Sequence, residues 1–436
     1  MKWVSAGLLL LFVAFALQLH FIIWTVVLVA VIWHLARRIT KTWSENLHAE
    51  RSCDVLEAEV GDRREFSIEF ENKGKWPILW ALCEELTPRL PPGQEKNSLI
   101  MQGEHAAVIQ MASGSKTKWD YSVSFRRRGY YQFGPLVMET GDVFGMDRRF
   151  RVLCPPVWIL VRPRIKLLSG YDIQSRRPIG EIVMTHRLFE DPTRTAGVRK
   201  YQAGDPLNRV HWRASARVGS LQSRVFESSS LAGATLVLDF HIDSYEPDHE
   251  PVRSELAITA AASISNLLYE MNQQSGLLSN GRDAADRIRE EGWQGDSRTR
   301  GQSRQGVTMA DKTDRLLPVL IPPSRSPERL HQILDQLARL ELTDGLTLDQ
   351  TLLGSTGRLP RDATIIAIVS KMNEPAAFAL ESLKRQGYAV VAIVNRWDDD
   401  EFLVASSFLA ARSIEVHHLK QEDSISGICK RLAVGR

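Results

Sequence analysis

The N-terminal apolar run is the longest hydrophobic stretch of the chain. Val4–Leu35 consists almost entirely of Leu, Val, Ala, Ile, Phe and Trp, with a polar break at Gln18–His20. As one helix this run would extend about 48 Å, whereas the hydrocarbon core of a bilayer is about 30 Å thick. We therefore predict a transmembrane hairpin within residues 1–40, formed by two short helices, Trp3–Leu17 and Phe21–Leu35.

Basic residues flank both ends of the apolar run. Lys2 precedes it, and Arg37, Arg38 and Lys41 follow it. A hairpin puts both groups on one side of the membrane, which the positive-inside rule identifies as the cytoplasm. The alternative is a cleaved signal peptide, because Ala14–Ala16 resembles an A-x-A cleavage site, although the second apolar segment would still anchor the product. We predict a cell-membrane protein with two spans and cytoplasmic soluble domains.

A hydrophobic period of two dominates the region that follows the anchor. Alternate positions are apolar or aromatic in two separate stretches, at Phe66, Ile68, Phe70, Tyr121, Val123 and Phe125. Such alternation is typical of half-buried strands, and Gly- and Pro-rich turn signals separate the stretches. We predict an antiparallel β-sandwich-like domain over residues 50–165.

The C-terminal region alternates short apolar runs with segments of helical periodicity. The runs at 234–240, 275–280, 315–321, 364–370 and 388–395 predict buried strands, and the helical periodicity between most of them predicts helices. Strands that alternate with helices indicate a mostly parallel, doubly wound α/β sheet, whose ligands bind at the carboxyl ends of the strands. Residues 281–314 are too polar to form a core and predict a solvated insertion with a short helix near 284–290.

Composition and charge exclude some classes of protein. The 436 residues provide for at least two soluble domains, and the net charge of +3 is close to balance. Because the basic residues are offset by acids, we predict no nucleic-acid partner. The four cysteines have no C-x-x-C spacing, so a disulfide framework is not expected.

Residues 199–217 form the most distinctive motif, which we call the signature segment. It combines a Gly-Asp turn, an aromatic pair and several basic side chains. We treat the following residues as its binding candidates: Tyr201, Gly204, Asp205, Arg209, His211, Trp212, Ser215, Ala216 and Arg217. A second motif, at residues 125–149, contains R-G-x-Y-x-x-G-P followed by G-D-x-F-G.

These two motifs, in this order, resemble those of the domain of unknown function 58 family of membrane-anchored bacterial proteins. The resemblance implies that residues 185–436 contain a von Willebrand factor A-like α/β domain preceded by the signature segment. It also implies partnership with a MoxR-type AAA ATPase. Many proteins that resemble this sequence have Asp at the position of His211.

Two interpretations of the signature segment remain open. In the structural one, Asp205 caps the following segment, Trp212 and Ala216 form a buried face at i and i+4, and the arginines lie on the opposite, solvated face. In the binding one, Arg209, Arg213 and Arg217, with Lys200 and His211, form a docking surface for an acidic partner or for lipid headgroups.

The loop after the first predicted strand of the α/β domain is the candidate metal site. Metal-binding von Willebrand factor A domains carry D-x-S-x-S there, whereas this chain has Asp239, His241 and Asp243, followed by Ser244. A second carboxylate and an imidazole replace the hydroxyl ligands that suit magnesium. We therefore predict no metal, and that Asp239 accepts hydrogen bonds from nearby backbone amides.

No nucleotide-binding, zinc-protease or serine-hydrolase motif is present in the sequence. We thus predict no catalytic residue and no cofactor. The leading hypothesis is a membrane-tethered cytoplasmic scaffold or adaptor that works with a MoxR-type ATPase and contacts the lipid bilayer. The alternative is a metal-dependent hydrolase, or another enzyme, that uses Asp239, His241 and Asp243.

Overall fold

The structure is a computed structural model. It describes residues 20–53, 56–86, 98–142, 145, 147–166, 190–202, 210–228, 233–286, 316–360 and 363–434. The chain divides into two compact units, with the boundary between Val161 and Arg162.

The first helix, α1, comprises His20–Asn46 and is long and apolar enough to cross a membrane. It contains the second predicted span, Phe21–Leu35. Its end differs from the prediction, because the helix continues for 11 residues beyond Leu35. No Gly or Pro interrupts this extension, whose Thr40, Trp43 and Ser44 are buried. The first predicted span, Trp3–Leu17, lies outside the described residues, so the hairpin stays a prediction.

The helix α1 joins the β-rich region without a linker, since strand β1 starts at Leu47. Arg151 fastens this junction: its Nη1 donates to the carbonyl oxygens of Ser44, Glu45 and Leu47 at 2.9, 3.1 and 3.4 Å. A cationic side chain at a helix C-terminus satisfies carbonyl groups that have no partner within the helix and interacts favourably with the helix dipole.

Eleven strands are described in the first unit. They are β1 Leu47–Cys53, β2 Glu57–Glu59, β3 Arg63–Asn72, β4 Ile78–Glu85, β5 Leu99–Gln102, β6 Ala106–Met111, β7 Lys116–Phe125, β8 Gly129–Phe133, β9 Leu136–Gly141, β10 Arg148–Cys154 and β11 Val157–Arg162. They form sheets of order β1-β3-β7-β5, β10-β9-β4-β6 and β2-β11-β8. All three sheets contribute to one hydrophobic core, which also contains Trp43 of α1.

The alternation in β3 and β7 places the predicted side chains in this core. Phe66, Ile68 and Phe70 on β3 are buried, as are the predicted apolar residues of β7. The two strands pair antiparallel, and the rings of Phe66 and Tyr121 stack with their centroids 4.8 Å apart. The alternating pattern therefore predicted correctly which residues of these strands face inward.

The second unit contains a two-stranded antiparallel ladder and a six-stranded sheet. Its strands are β12 Glu190–Lys200, β13 Gln222–Ser228, β14 Gly233–Leu238, β15 Gln274–Ser279, β16 Arg282–Asp283, β17 Val319–Ser324, β18 Leu340–Glu341, β19 Ala363–Val369, β20 Val390–Val394 and β21 Glu415–His418. The six-stranded sheet has the order β17-β15-β14-β19-β20-β21. Only the edge strand β17 is antiparallel to its neighbour within this sheet.

Helices cover both faces of the six-stranded sheet. The described helices of the second unit are α2 Trp212–Val218, α3 Val252–Glu270, α4 Pro327–Arg339, α5 Leu348–Ser355, α6 Glu374–Arg385, α7 Asp399–Ala410 and α8 Glu422–Val434. In β14, Leu236 and Leu238 contact the core beneath α3, α4 and α8, whereas Val237 contacts the core beneath α5, α6 and α7. Burial on both faces explains why this strand reads as a continuous apolar run.

The first residues of the predicted insertion form a strand ladder. Arg282 and Asp283, which we expected to lie in a solvated loop, form β16 and pair with β18. Helical backbone follows at residues 284–286, and residues 287–315 lie outside the described part of the chain.

Candidate functional site

The helix of the signature segment, α2, is short and has a defined residue at each end. It begins after His211, whose Nδ1 accepts a hydrogen bond from the amide of Ala214 at 3.1 Å. It ends at Gly219, which has a φ of 71° and donates its amide to the carbonyl of Ser215 at 3.0 Å. An imidazole nitrogen thus acts as the N-cap acceptor, a role that Asp also fills well.

Hydrogen bonds attach α2 to β13. The hydroxyl of Ser215 donates to the carbonyl of His211 at 3.0 Å and accepts the amide of Gln222 at 2.8 Å. The amide of His211 donates to the carbonyl of Gln222 at 2.8 Å, and the amide of Tyr201 donates to the carbonyl of Leu221 at 2.9 Å. The structure therefore brings Tyr201, His211 and Ser215 together, and each of them forms a hydrogen bond to the backbone of Leu221 or Gln222.

The predicted buried face of Trp212 and Ala216 is wrong. Trp212 is 66% exposed, and Ala216 is also exposed. The buried residue of α2 is Ser215. A helix of two turns that is attached through backbone and hydroxyl groups needs no apolar stripe, so helical spacing alone did not reveal which side is covered.

Four exposed residues of α2 form what we call the signature-helix surface: Trp212, Arg213, Ala216 and Arg217. Because residues four apart share a helix face, they make two adjacent rows, one with the indole and one with the guanidinium groups. The remaining binding candidates, Gly204, Asp205 and Arg209, lie outside the described residues.

The carboxylate of Asp239 is buried at the carboxyl end of β14. It accepts hydrogen bonds from the hydroxyl of Ser244 at 2.6 Å, the side-chain amide of Asn280 at 2.9 Å and the backbone amide of His241 at 3.4 Å. Burial raises the pKa of the Asp239 carboxyl group above its usual range. The sequence predicted the backbone contact but missed Ser244 and Asn280. The position of Asn280 directly after the neighbouring parallel strand was the available signal for its proximity.

The other two residues of the candidate metal site point elsewhere. Nδ1 of His241 accepts the backbone amide of Asp243 at 3.2 Å, and the side chain of Asp243 is 84% exposed. In the part of the chain that the structure describes, no three His, Cys, Asp or Glu side chains are close enough together to hold a metal ion. The three residues therefore act as a hydrogen-bonded loop in this geometry.

A second polar cluster at the same edge of the sheet was not predicted. Arg253, near the start of α3, is only 5% exposed and donates from Nη1 to the side chain of Asn395 at 3.1 Å. Nearby, Arg396 forms ion pairs with Glu246 at 2.6 Å and with Glu401 at 3.1 Å. Ligands of doubly wound sheets bind at the carboxyl ends of the strands, and this expectation pointed to the region. No local sequence motif, however, distinguishes these residues.

Comparisons with known proteins agree with the motifs. Residues 197–298 match the family model described as "Protein of unknown function DUF58". The chain is 24% identical, over 240 residues, to the uncharacterized protein YeaD of Bacillus subtilis (strain 168). The aligned region covers 55% of this chain and 57% of that relative, which is less than two thirds of its length. Both matches support the family predicted from the sequence, and the family model does so over residues 197–298.

Solved structures show only distant similarity. The pilus adhesin SpaC from Lactobacillus rhamnosus GG is 9% identical with a TM-score of 0.29, over 47% of this chain and 30% of that chain. The alpha-2-macroglobulin of E. coli is 14% identical with a TM-score of 0.20, over 28% and 7% of the two chains. A PapD-like domain of human CEP192 is 13% identical with a TM-score of 0.19, over 27% and 85%.

Proposed function

We propose that this member of the domain of unknown function 58 family is a membrane-tethered scaffold that binds a partner protein on the signature-helix surface. The exposure of Trp212 carries the proposal. A large aromatic side chain, 66% exposed, lies on a helix whose backbone is fixed by its caps and by Ser215. Such a side chain adds little to the stability of the unit that bears it, whereas it is well suited to bury against a partner.

The chemistry of the signature-helix surface fits a protein partner. Trp and Arg are the residue types most enriched at interface positions that dominate binding energy. Arg213 and Arg217 beside the indole give the surface a basic rim, which favours an acidic partner. The family resemblance suggests a MoxR-type AAA ATPase as this partner.

The placement of the scaffold follows from α1. This helix is long and apolar enough to anchor the chain, and basic residues follow its apolar part. Our proposal puts both soluble units in the cytoplasm, where a cytoplasmic ATPase would reach them.

We also propose that the α/β unit is a von Willebrand factor A-like domain. Support comes from its six-stranded sheet of order β17-β15-β14-β19-β20-β21, with helices on both faces and an antiparallel edge strand. The hydrolase alternative gains no support from this unit, because Asp239 is enclosed by Ser244 and Asn280 while Asp243 points to solvent. Neither the family description nor the name of the relative specifies a reaction.

Two variants test the binding surface. We expect Trp212→Ala, and separately the double change Arg213→Glu with Arg217→Glu, to weaken binding of the purified ATPase by roughly tenfold or more. Stability should change by no more than about 0.5 kcal/mol, since the altered side chains are exposed. Binding is measured by surface plasmon resonance on the full chain in detergent, and stability by urea unfolding.

Matched controls are available in the same chain. Trp76, 70% exposed in the first unit, provides Trp76→Ala as a loss of an exposed indole elsewhere. Arg385, whose side chain is 73% exposed, provides a charge reversal on another helix. Unchanged ATPase binding by both signature-helix variants would refute the proposal, as would a large loss of stability in Trp212→Ala.

A further inference from the structure

A pocket at the carboxyl edge of the six-stranded sheet lies apart from the signature-helix surface. It is lined by residues that follow three of the strands, among them Glu246 after β14, Ser370 after β19, and Arg396 and Trp397 after β20. Arg253, at the second position of α3, also lines it. Carboxyl ends of parallel strands are where doubly wound sheets bind ligands.

Arg253 is a buried cation that makes no direct ion pair with an acid among the described residues, and Glu401 acts on it only at longer range. Its Nη1 donates to the side chain of Asn395 and to the carbonyl oxygens of Leu419 and Lys420, at 3.1, 3.4 and 2.9 Å. Its Nη2 is buried and has no hydrogen-bond partner in the part of the chain that the structure describes. Arginine is rarely buried unless it is paired, and an unsatisfied donor of a charged group is costly.

The other charged side chains of the pocket form ion pairs with one another. Arg396 pairs with both Glu246 and Glu401, and Glu246 also lies 3.3 Å from Nδ1 of His249. Nη2 of Arg253 is therefore the donor that a ligand would satisfy. The N-terminus of α3, a helix of 19 residues, adds a partial positive charge beside it.

Trp397 covers the guanidinium group of Arg253. Its ring centroid lies 5.1 Å from Cζ, and the indole is 52% exposed. Because the indole is half exposed, we expect it to turn outward when a ligand approaches the guanidinium group. A ligand that reaches Nη2 would therefore change the surroundings of the Trp397 indole.

We propose that this pocket binds a carboxylate group, which pairs with Nη2 of Arg253 beneath Trp397. A singly charged carboxylate fits better than a phosphate dianion, because Glu246 and Glu401 at the rim repel a second negative charge. The carboxylate belongs either to an acidic side chain of a protein or to a small free acid. This inference is independent of the proposed docking on α2.

The test measures binding to the full chain in detergent at constant ionic strength. The probes are acetate, the peptide Ac-Gly-Asp-Gly-NH2, its Asn counterpart Ac-Gly-Asn-Gly-NH2, and inorganic phosphate. The signal is the indole fluorescence change that is present in the wild type and absent in Trp397→Phe. We expect saturable responses to acetate or the Asp peptide and none to the Asn peptide.

Variants connect the response to Arg253. Arg253→Lys keeps the charge and one donor for the carbonyl groups but loses the second nitrogen, so we expect roughly tenfold or weaker carboxylate binding. Arg385→Gln, on an exposed helix face, is the matched control and should bind as the wild type does. Should Arg253→Lys fail to fold, calorimetry on Trp397→Ala replaces it, with tighter carboxylate binding expected because the cover is gone.

The outcomes separate cleanly. Tighter binding of the Asp peptide than of acetate assigns the site to a protein carboxylate, and equal binding assigns it to a free acid; both support the proposal. It is overturned by the absence of any saturable carboxylate response, by tighter binding of phosphate, by binding that survives Arg253→Lys, or by unchanged binding in Trp397→Ala.

Discussion

His211 stabilises α2 through one ring nitrogen, which gives a direct test at the scale of a single residue. Loss of an N-cap acceptor costs about 1 kcal/mol, so His211→Ala should speed amide exchange across Trp212–Gly219. In His211→Asp the carboxylate accepts the same Ala214 amide, and protection should stay near the wild-type level. Hydrogen exchange followed by mass spectrometry resolves this peptide. Equal exchange in the Ala and Asp variants would show that the cap contributes nothing.

The same helix shows what residue spacing predicts and what it does not. The intervals of three and four correctly indicated a helix and identified which residues share a face. They did not indicate that Trp212 is exposed, because burial depends on whether another element covers that face. Ser215, a small polar residue in the motif, was the informative position: its hydroxyl attaches the helix to β13.

At the scale of elements, Arg151 joins the end of α1 to the β-rich unit. Arg151→Ala removes three contacts to the carbonyl groups of Ser44, Glu45 and Leu47, and we expect a loss of about 1–3 kcal/mol in unfolding free energy. Limited proteolysis should also cut faster near Asn46. The control is Arg148→Ala on the same strand, whose exposed side chain pairs only at 3.4 Å with Glu139. Equal stability of the two variants would contradict the role given to Arg151.

The boundaries of buried strands and helices followed the hydrophobic pattern. The boundaries of strands at the edge of a sheet departed from it. Strand β14 was predicted at 234–240 and lies at Gly233–Leu238. Strand β17 lies at Val319–Ser324 rather than at the predicted 315–321, and its position at the sheet edge accommodates Pro322 and Pro323. The ladder of β12 and β13 was not predicted, since its strands lack the alternation that marks a half-buried sheet.

At the scale of the whole molecule, membrane orientation is the property that the sequence predicts and the fold leaves untested. We expect a single cysteine introduced at Lys118, which is exposed on β7, to resist an impermeant maleimide in intact cells and to react after permeabilisation. Replacing Cys53, Cys83, Cys154 and Cys429 with Ser or Ala first removes background labelling. Labelling of intact cells would place the β-rich unit outside and refute the cytoplasmic scaffold.

The polar cluster around Arg253, at the carboxyl edge of the six-stranded sheet, illustrates why sites are harder to predict than strands. Arg253 is more than a hundred positions away from Asn395 and its neighbour Arg396, and only the crossing connections of the sheet bring them together. The apolar runs predicted the strands themselves. The strand order, and hence which loops meet, depends on long-range pairing that no local pattern records.

The linker-free junction between α1 and β1 has a mechanical consequence. Trp43 is part of the β-rich core, and Arg151 donates to the carbonyl groups at the helix end. We therefore expect α1 and the β-rich unit to move together as one rigid body. In the proposed bilayer setting, a change in membrane thickness alters the tilt of a spanning helix. Any such tilt rotates the attached β-rich unit through the same angle, so that lipid composition sets the angle at which this unit is presented above the membrane.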